Sequence, residues 1–116
     1  MAQSQEYLSD SIPTPMVVVI VVGYLEDGTP RVYPSPAEVR VSGTIIWRTF
    51  EGEPRPFTIA QKQGPRGWEG EMQLPSHTSE GHQVVTVPAQ SKEGEYHYSV
   101  TANGYVLDPD IYIKPH

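Results

Sequence analysis

Tyr96-His97-Tyr98-Ser99-Val100 is the stretch whose reading decides the fold. At a period of two, Tyr96, Tyr98 and Val100 fall on one side and His97 and Ser99 on the other. A helix would spread the three large apolar side chains around its axis. The segment reads as a strand with its aromatic side inward and His97 outward. The same period recurs on either side of it. Val84-Val85-Thr86-Val87 precedes it, and the tight-turn pair Asn103-Gly104, a short run 105–107 and Ile111-Tyr112-Ile113-Lys114 follow. Further upstream, Glu38-Val39-Arg40-Val41 alternates. In Thr44-Ile45-Ile46-Trp47-Arg48-Thr49-Phe50, Ile45 and Trp47 are expected inward and Arg48 outward. Phe57 and Ile59 share a face in Pro56-Phe57-Thr58-Ile59-Ala60.

Met16-Val17-Val18-Val19-Ile20-Val21-Val22 has no alternation because every position is apolar. A run so rich in β-branched residues favours a strand, here expected to be buried on both faces. Glu26-Asp27-Gly28 marks a turn, and residues 30–36 an extended, kinked passage. Residues 61–82 hold Gly64, Pro65, Gly67, Gly70, Pro75 and Gly81 and are expected to form a long excursion, with one weak strand near 68–74. Residues 1–15 are polar, end in Pro13 and Pro15, and are expected to be a flexible arm before a domain over 16–116. No segment sustains a helical period. The reading is therefore an all-β sandwich or small barrel of seven or eight short strands.

Composition narrows function further. The 116 residues are enough to bury a core. The absence of cysteine excludes disulfides, thiolate metal sites, iron–sulfur centres and cysteine nucleophiles. With 14 Asp and Glu against 8 Lys and Arg and no basic stripe, no nucleic-acid partner is expected. The longest apolar run, eight residues including Gly23, falls short of the roughly 20 needed for a membrane helix, so no membrane partner is expected. Residues 1–15 lack a positively charged leader and carry Glu6 and Asp10, so a cytoplasmic setting is the expectation if the natural chain starts here; a trimmed signal peptide would remove that basis.

The order of these pieces resembles the cupredoxin family over residues 16–114. The resemblance is carried by Pro36 with Val39 and Val41, by the Gly43 turn into Ile45 and Trp47, and by Val85, Val87 and Pro88 running into Gly94, Tyr96, Tyr98 and Val100. Ile111 to Lys114 matches the closing strand. Immunoglobulin-like domains share much of this alternation. The resemblance implies a Greek-key β-sandwich, but the family's type 1 copper site does not carry over. Its first histidine would fall near Pro56 and Phe57, its cysteine at Val100, and its second histidine and axial methionine within 101–110, where neither residue type occurs. Such a centre relies on one thiolate and two imidazoles. No cofactor is expected.

Other candidates are weighed against plainer roles. His77, His82 and His97, with Glu80 or Glu95, are residue types that suit zinc, nickel or copper(II), but their spacing is not a metal motif and solvated histidines are the expected case. Asp108 and Asp110, with Glu26 and Asp27, offer oxygens for calcium without the calcium-loop period. Ser76-His77-Thr78-Ser79-Glu80 has hydrolase residue types but no nucleophile elbow, and Glu51 with Glu53 lies along a turn; the chain is not expected to be an enzyme. Trp68, flanked by Gly67, Glu69 and Gly70, is expected either to cap an open end of the sandwich or to meet a partner, with Arg66 and Glu69 as its polar rim. The resulting expectation is a noncatalytic interaction or assembly domain, with a homo-oligomer or another protein as partner. The alternative is a small-ligand or non-type-1 metal binder using the 61–82 loop, and a hydrolase ranks third.

Overall fold

The computed structural model describes residues 14–62 and 64–115. It is all-β, with eleven strands: β1 (Val17–Tyr24), β2 (Pro30–Tyr33), β3 (Ala37–Arg40), β4 (Thr44–Thr49), β5 (Phe57–Gln61), β6 (Gln73–Pro75), β7 (His77–Ser79), β8 (His82–Pro88), β9 (Gly94–Ala102), β10 (Tyr105–Leu107) and β11 (Asp110–Lys114). The arm expected over 1–15 lies outside the described residues except for Thr14 and Pro15.

The strands form two mixed sheets. Sheet one is ordered β2-β1-β4-β8-β7, and sheet two β3-β11-β9-β5-β6 with β10 beside β9. The β1–β4 and β3–β11 pairs are parallel and the others antiparallel. Alternate residues of both sheets meet in one core. Sheet one contributes Val18, Ile20, Val22, Ile45, Trp47, Val85 and Val87, and sheet two Val39, Phe57, Ile59, Tyr96, Tyr98, Val100, Ile111 and Ile113. The inward sides of β4, β5 and β9 match the period read from their sequences.

The chain changes sheets five times, and two of these crossings are tied into the fold as follows. Residues 34–36 carry it from β2 to β3, and Ser76 alone separates β6 from β7. Ser76 Oγ accepts the Phe57 N–H at 2.9 Å and donates to Gln83 Oε1 at 2.9 Å, while the Ser76 N–H donates to the Phe57 carbonyl at 2.8 Å. Gln83 is buried and its Nε2 donates to Thr78 Oγ1 at 2.7 Å, so the corner is closed by hydrogen bonds on both sides. At the opposite end of β4, Gly43 lets two strands start together. The Thr44 N–H donates to the Met16 carbonyl at 2.7 Å, and a Cβ on Gly43 would stand only 2.3 Å from that same oxygen.

Three expectations change here. Residues 61–82 are not a structureless excursion, because β6 pairs with β5 and β7 with β8. The passage 30–36 contains a true edge strand, β2, which brings the strand number above the seven or eight anticipated. The Met16–Val22 run is not buried on both faces. Val18, Ile20 and Val22 are buried, whereas Val17 is exposed and Val19 and Val21 are partly covered. On the outer side of β1 the cover is partial, and the Phe50 ring stands against Gly23.

Candidate functional site

Trp68 is not an outward anchor. Its side chain is 0% exposed and forms a three-ring cluster with Trp47 and Tyr98. The ring centroids lie 5.9 Å from Trp47 and 6.4 Å from Tyr98, and Trp47 and Tyr98 are 5.4 Å apart, all edge-on, an arrangement suited to the positive rim and negative face of aromatic rings. Trp68 Nε1 donates to the Glu71 carbonyl at 2.7 Å, and Trp47 Nε1 donates to the Tyr98 hydroxyl at 3.1 Å. Burial pushes the Tyr98 phenol far above its ordinary value of 10, so it stays neutral.

The backbone around Trp68 explains how a glycine-flanked loop reaches the core. Trp68 bridges to Ala89, the Glu69 N–H donates to the Pro88 carbonyl at 3.0 Å, and the Gln90 N–H donates to the Gly67 carbonyl at 3.1 Å. Gly67 sits against Tyr96 and Ile111, and an added Cβ would meet both at 3.0 Å. Its smallness serves an internal approach, not an approach to a partner. Glu69 is exposed and Arg66 half-buried, but there is no exposed indole for them to rim.

At two of the positions where the resemblance implies copper ligands, the structure holds packed apolar residues. Phe57 and Val100 belong to the core, and Val100 lies opposite Ile59. Residues 103–107 turn back as β10 along β9, and Asn103 Nδ2 donates to the Gly28 carbonyl at 2.9 Å, which ties this turn to the β1–β2 turn.

The histidines go separate ways. His97 faces outward, as read, and its Nδ1 donates to Asp110 Oδ1 at 2.6 Å. His82 Nδ1 donates to the Thr49 carbonyl at 2.7 Å, and His77 is exposed on β7. Asp108 pairs with Lys62 at 3.2 Å and Asp27 accepts from the Thr29 N–H, so the acidic turns have partners of their own. Among the described residues no group of three or more His, Asp or Glu side chains could hold a metal ion. Ser76 is the sheet corner, with its hydroxyl committed to Phe57 and Gln83. Glu53 accepts from Arg55 Nε at 2.8 Å and Nη2 at 2.9 Å, and the Arg55 guanidinium lies 3.9 Å from the centre of the Tyr24 ring. This pairing holds the Glu53 carboxyl below its ordinary range and leaves no convergent carboxylate pair with Glu51.

The feature that composition and motifs did not single out is the difference between the two outer faces. On sheet two Glu38 pairs with Lys114 at 3.3 Å, His97 with Asp110, and Thr58 lies opposite Thr101, while Tyr105 and Val106 of β10 are exposed. On sheet one Val17, Val19, Val21, Ile46 and Val84 stand outward among Thr44, Arg48 and Thr86. The register aligns Val17 with Thr44, Val19 with Ile46 and Thr86, and Tyr33 with Val21, Arg48 and Val84. Met16, Val17, Tyr33 and Phe50 are exposed, Tyr33 at 77% and Phe50 at 67%. The Phe50 ring lies over Gly23, 3.3 Å from where a Cβ would stand. Arg31 and Arg48 also project here, and no outward position of these strands carries a carboxylate. The signal was present in the unbroken apolar run of β1, where the polar residue expected at every second position never comes.

No protein-family model matches the chain, and no curated protein matches it.

Proposed function

We propose that this chain is a noncatalytic interaction or assembly domain, built on a cupredoxin-like Greek-key sandwich that does not hold type 1 copper. The observation that carries the reading is the apolar outer face of sheet one. A half-solvated antiparallel sheet normally alternates apolar and polar residues, and a contiguous apolar patch on a soluble protein marks a contact surface. Here Val17, Val19, Val21 and Ile46 lie side by side, Val84 stands beyond Arg48, and Tyr33 and Phe50 are exposed at the flank. The cupredoxin-like part of the reading is supported by the passage from β2 to β3 between sheets and by the aromatic strand β4 next to β1. The copper part is supported by the side chains at the implied ligand positions, which are a phenylalanine and a valine packed in the core.

The face is tested by Val19→Thr combined with Ile46→Thr, which keeps β-branched shapes while adding hydroxyls. The natural chain is expected to bind an apolar fluorescent dye while folded, and the double variant to lose most of that signal with its melting temperature nearly unchanged. A variant that melts far lower would show that these side chains serve internal packing, and the reading would fall. Copper(II) added to the natural chain is expected to give no intense visible absorption, because no thiolate is available.

A further inference from the structure

We infer that Asn103 is a site of spontaneous covalent modification, converted to aspartate and isoaspartate by attack of the Gly104 nitrogen, and that the conversion releases the β9–β10 turn from the β1–β2 turn. Asn103 and Gly104 make up the whole loop between β9 and β10, and Ala102 pairs with Tyr105 at its base. Both loop residues have positive φ, 51° and 82°, the pattern of a two-residue hairpin turn that asparagine followed by glycine adopts with least strain. Asn103 is the only asparagine in the chain. Three observations set up the reaction. Both residues are exposed, so water reaches the side-chain amide. The Gly104 N–H has no acceptor among the described residues, so the ladder does not hold its nitrogen. A Cβ on Gly104 would meet nothing within 4 Å, so the space beside that nitrogen is open.

The Gly104 nitrogen and Asn103 Cγ close a five-membered ring within two adjacent residues, an intramolecular attack that needs no other side chain. The nitrogen bonds to Cγ, the Cγ–Nδ2 bond breaks, and Nδ2 leaves as ammonia with the proton that Gly104 gives up. Water then opens the succinimide. Attack at Cγ yields aspartate, and attack at the main-chain carbonyl yields isoaspartate, whose backbone runs through the former side chain and is one atom longer.

Either product ends the contact between the turns. Asn103 Nδ2 donates to the Gly28 carbonyl at 2.9 Å, whereas a carboxylate only accepts, so two acceptors are left facing each other. The longer isoaspartate backbone also spoils the match between a two-residue loop and the Ala102–Tyr105 pair. Gly28 lies in the turn that leads to β2, the edge strand of sheet one, so that edge loses a tie to sheet two.

The test incubates the full folded chain at about pH 8 and about 37 °C for several weeks and follows it by peptide mapping with mass spectrometry. A gain of about 1 Da confined to the peptide holding residue 103, with an isoaspartate fraction, is expected. Gly104→Ala, which crowds the attacking nitrogen, is expected to slow the gain at least tenfold. The modified fraction, separated by its added negative charge, is expected to exchange the Gly28 amide at least tenfold faster than the unmodified chain. A folded chain that gains no mass, whether or not the urea-unfolded chain does, would show that the turn shields Asn103 and would overturn the inference. Modification of Gly104→Ala at the natural rate would exclude the Gly104 nitrogen as the attacking group. Unchanged exchange at Gly28 in the modified chain would overturn the release of the two turns.

Discussion

Replacing Trp68 with alanine removes one ring of a three-ring cluster and leaves the Glu71 carbonyl without its indole donor. A fully buried tryptophan truncated to alanine costs about 3–5 kcal/mol, so Trp68→Ala is expected to lower the thermal midpoint by 10 °C or more on the scale of about 4 °C per kcal/mol. Calorimetry showing a shift of only a degree or two would mean that the ring is not held in the core. The second residue-scale case is Glu53. Arg55 hydrogen bonds hold its folded pKa below the ordinary 4.5, so this group stabilises the fold above about pH 4.5 and that contribution is lost as pH falls through the depressed folded value. Glu53→Gln is therefore expected to melt below the natural chain at pH 7 and to match it near pH 2, when melting is followed across pH. A difference that persists unchanged to pH 2 would exclude the ion pair as its source.

The corner at Ser76 belongs to the scale of elements. Ser76→Ala strips the Phe57 N–H of its acceptor and Gln83 Oε1 of its donor. Leaving a buried polar group unpaired costs about 1–3 kcal/mol. The change is expected to show as a lower urea midpoint and as faster hydrogen exchange at the Phe57 amide than at Ile59, two residues along the same strand. Equal protection at both amides would mean that the corner does not depend on the hydroxyl. This element also marks the limit of what was legible beforehand. The strands β4, β5, β8, β9 and β11 could be read because one side of each is buried and the side-chain period records it. The inward placing of Tyr96, Tyr98 and Val100 followed from the same logic. Residues 61–82 gave no such record: β6 and β7 have three residues each, too few to show a period, and their pairing is decided by Phe57 and Gln83, which lie far off in sequence. Trp68 misled for a related reason. Its glycine and charged neighbours look like a surface loop, but the acceptors and donors that seat the ring inward come from Pro88, Gln90 and Glu71. For β1, the apolar run was visible, but which of its faces lacked a covering element depends on the whole sheet order.

At the scale of the whole molecule, two modes of self-association would use different surfaces, and they differ in their response to salt. One mode would be a face-to-face dimer through the Val19 and Ile46 side of sheet one. The other would set Arg31 and Arg48 of sheet one against Glu38, Glu95 and Asp110 of sheet two in the next copy, a head-to-tail contact that need not close and would build filaments. Salt tells them apart. Each chain carries a formal charge of −6 at pH 7, so two copies repel as they approach. Raising ionic strength from about 0.01 M to 0.1 M shortens the screening length from about 30 Å to 10 Å and relieves that repulsion, while apolar burial is left intact. The face-to-face dimer is thus expected to tighten with added salt, measured as a falling dissociation constant by sedimentation at fixed pH. A head-to-tail stack held by Arg31 and Arg48 would instead loosen, because the attraction between opposite charges is what the salt screens. Dissociation that rises with salt, or species growing beyond the dimer at low salt, would rule out the apolar face as the contact and assign association to the charged surfaces of the two sheets.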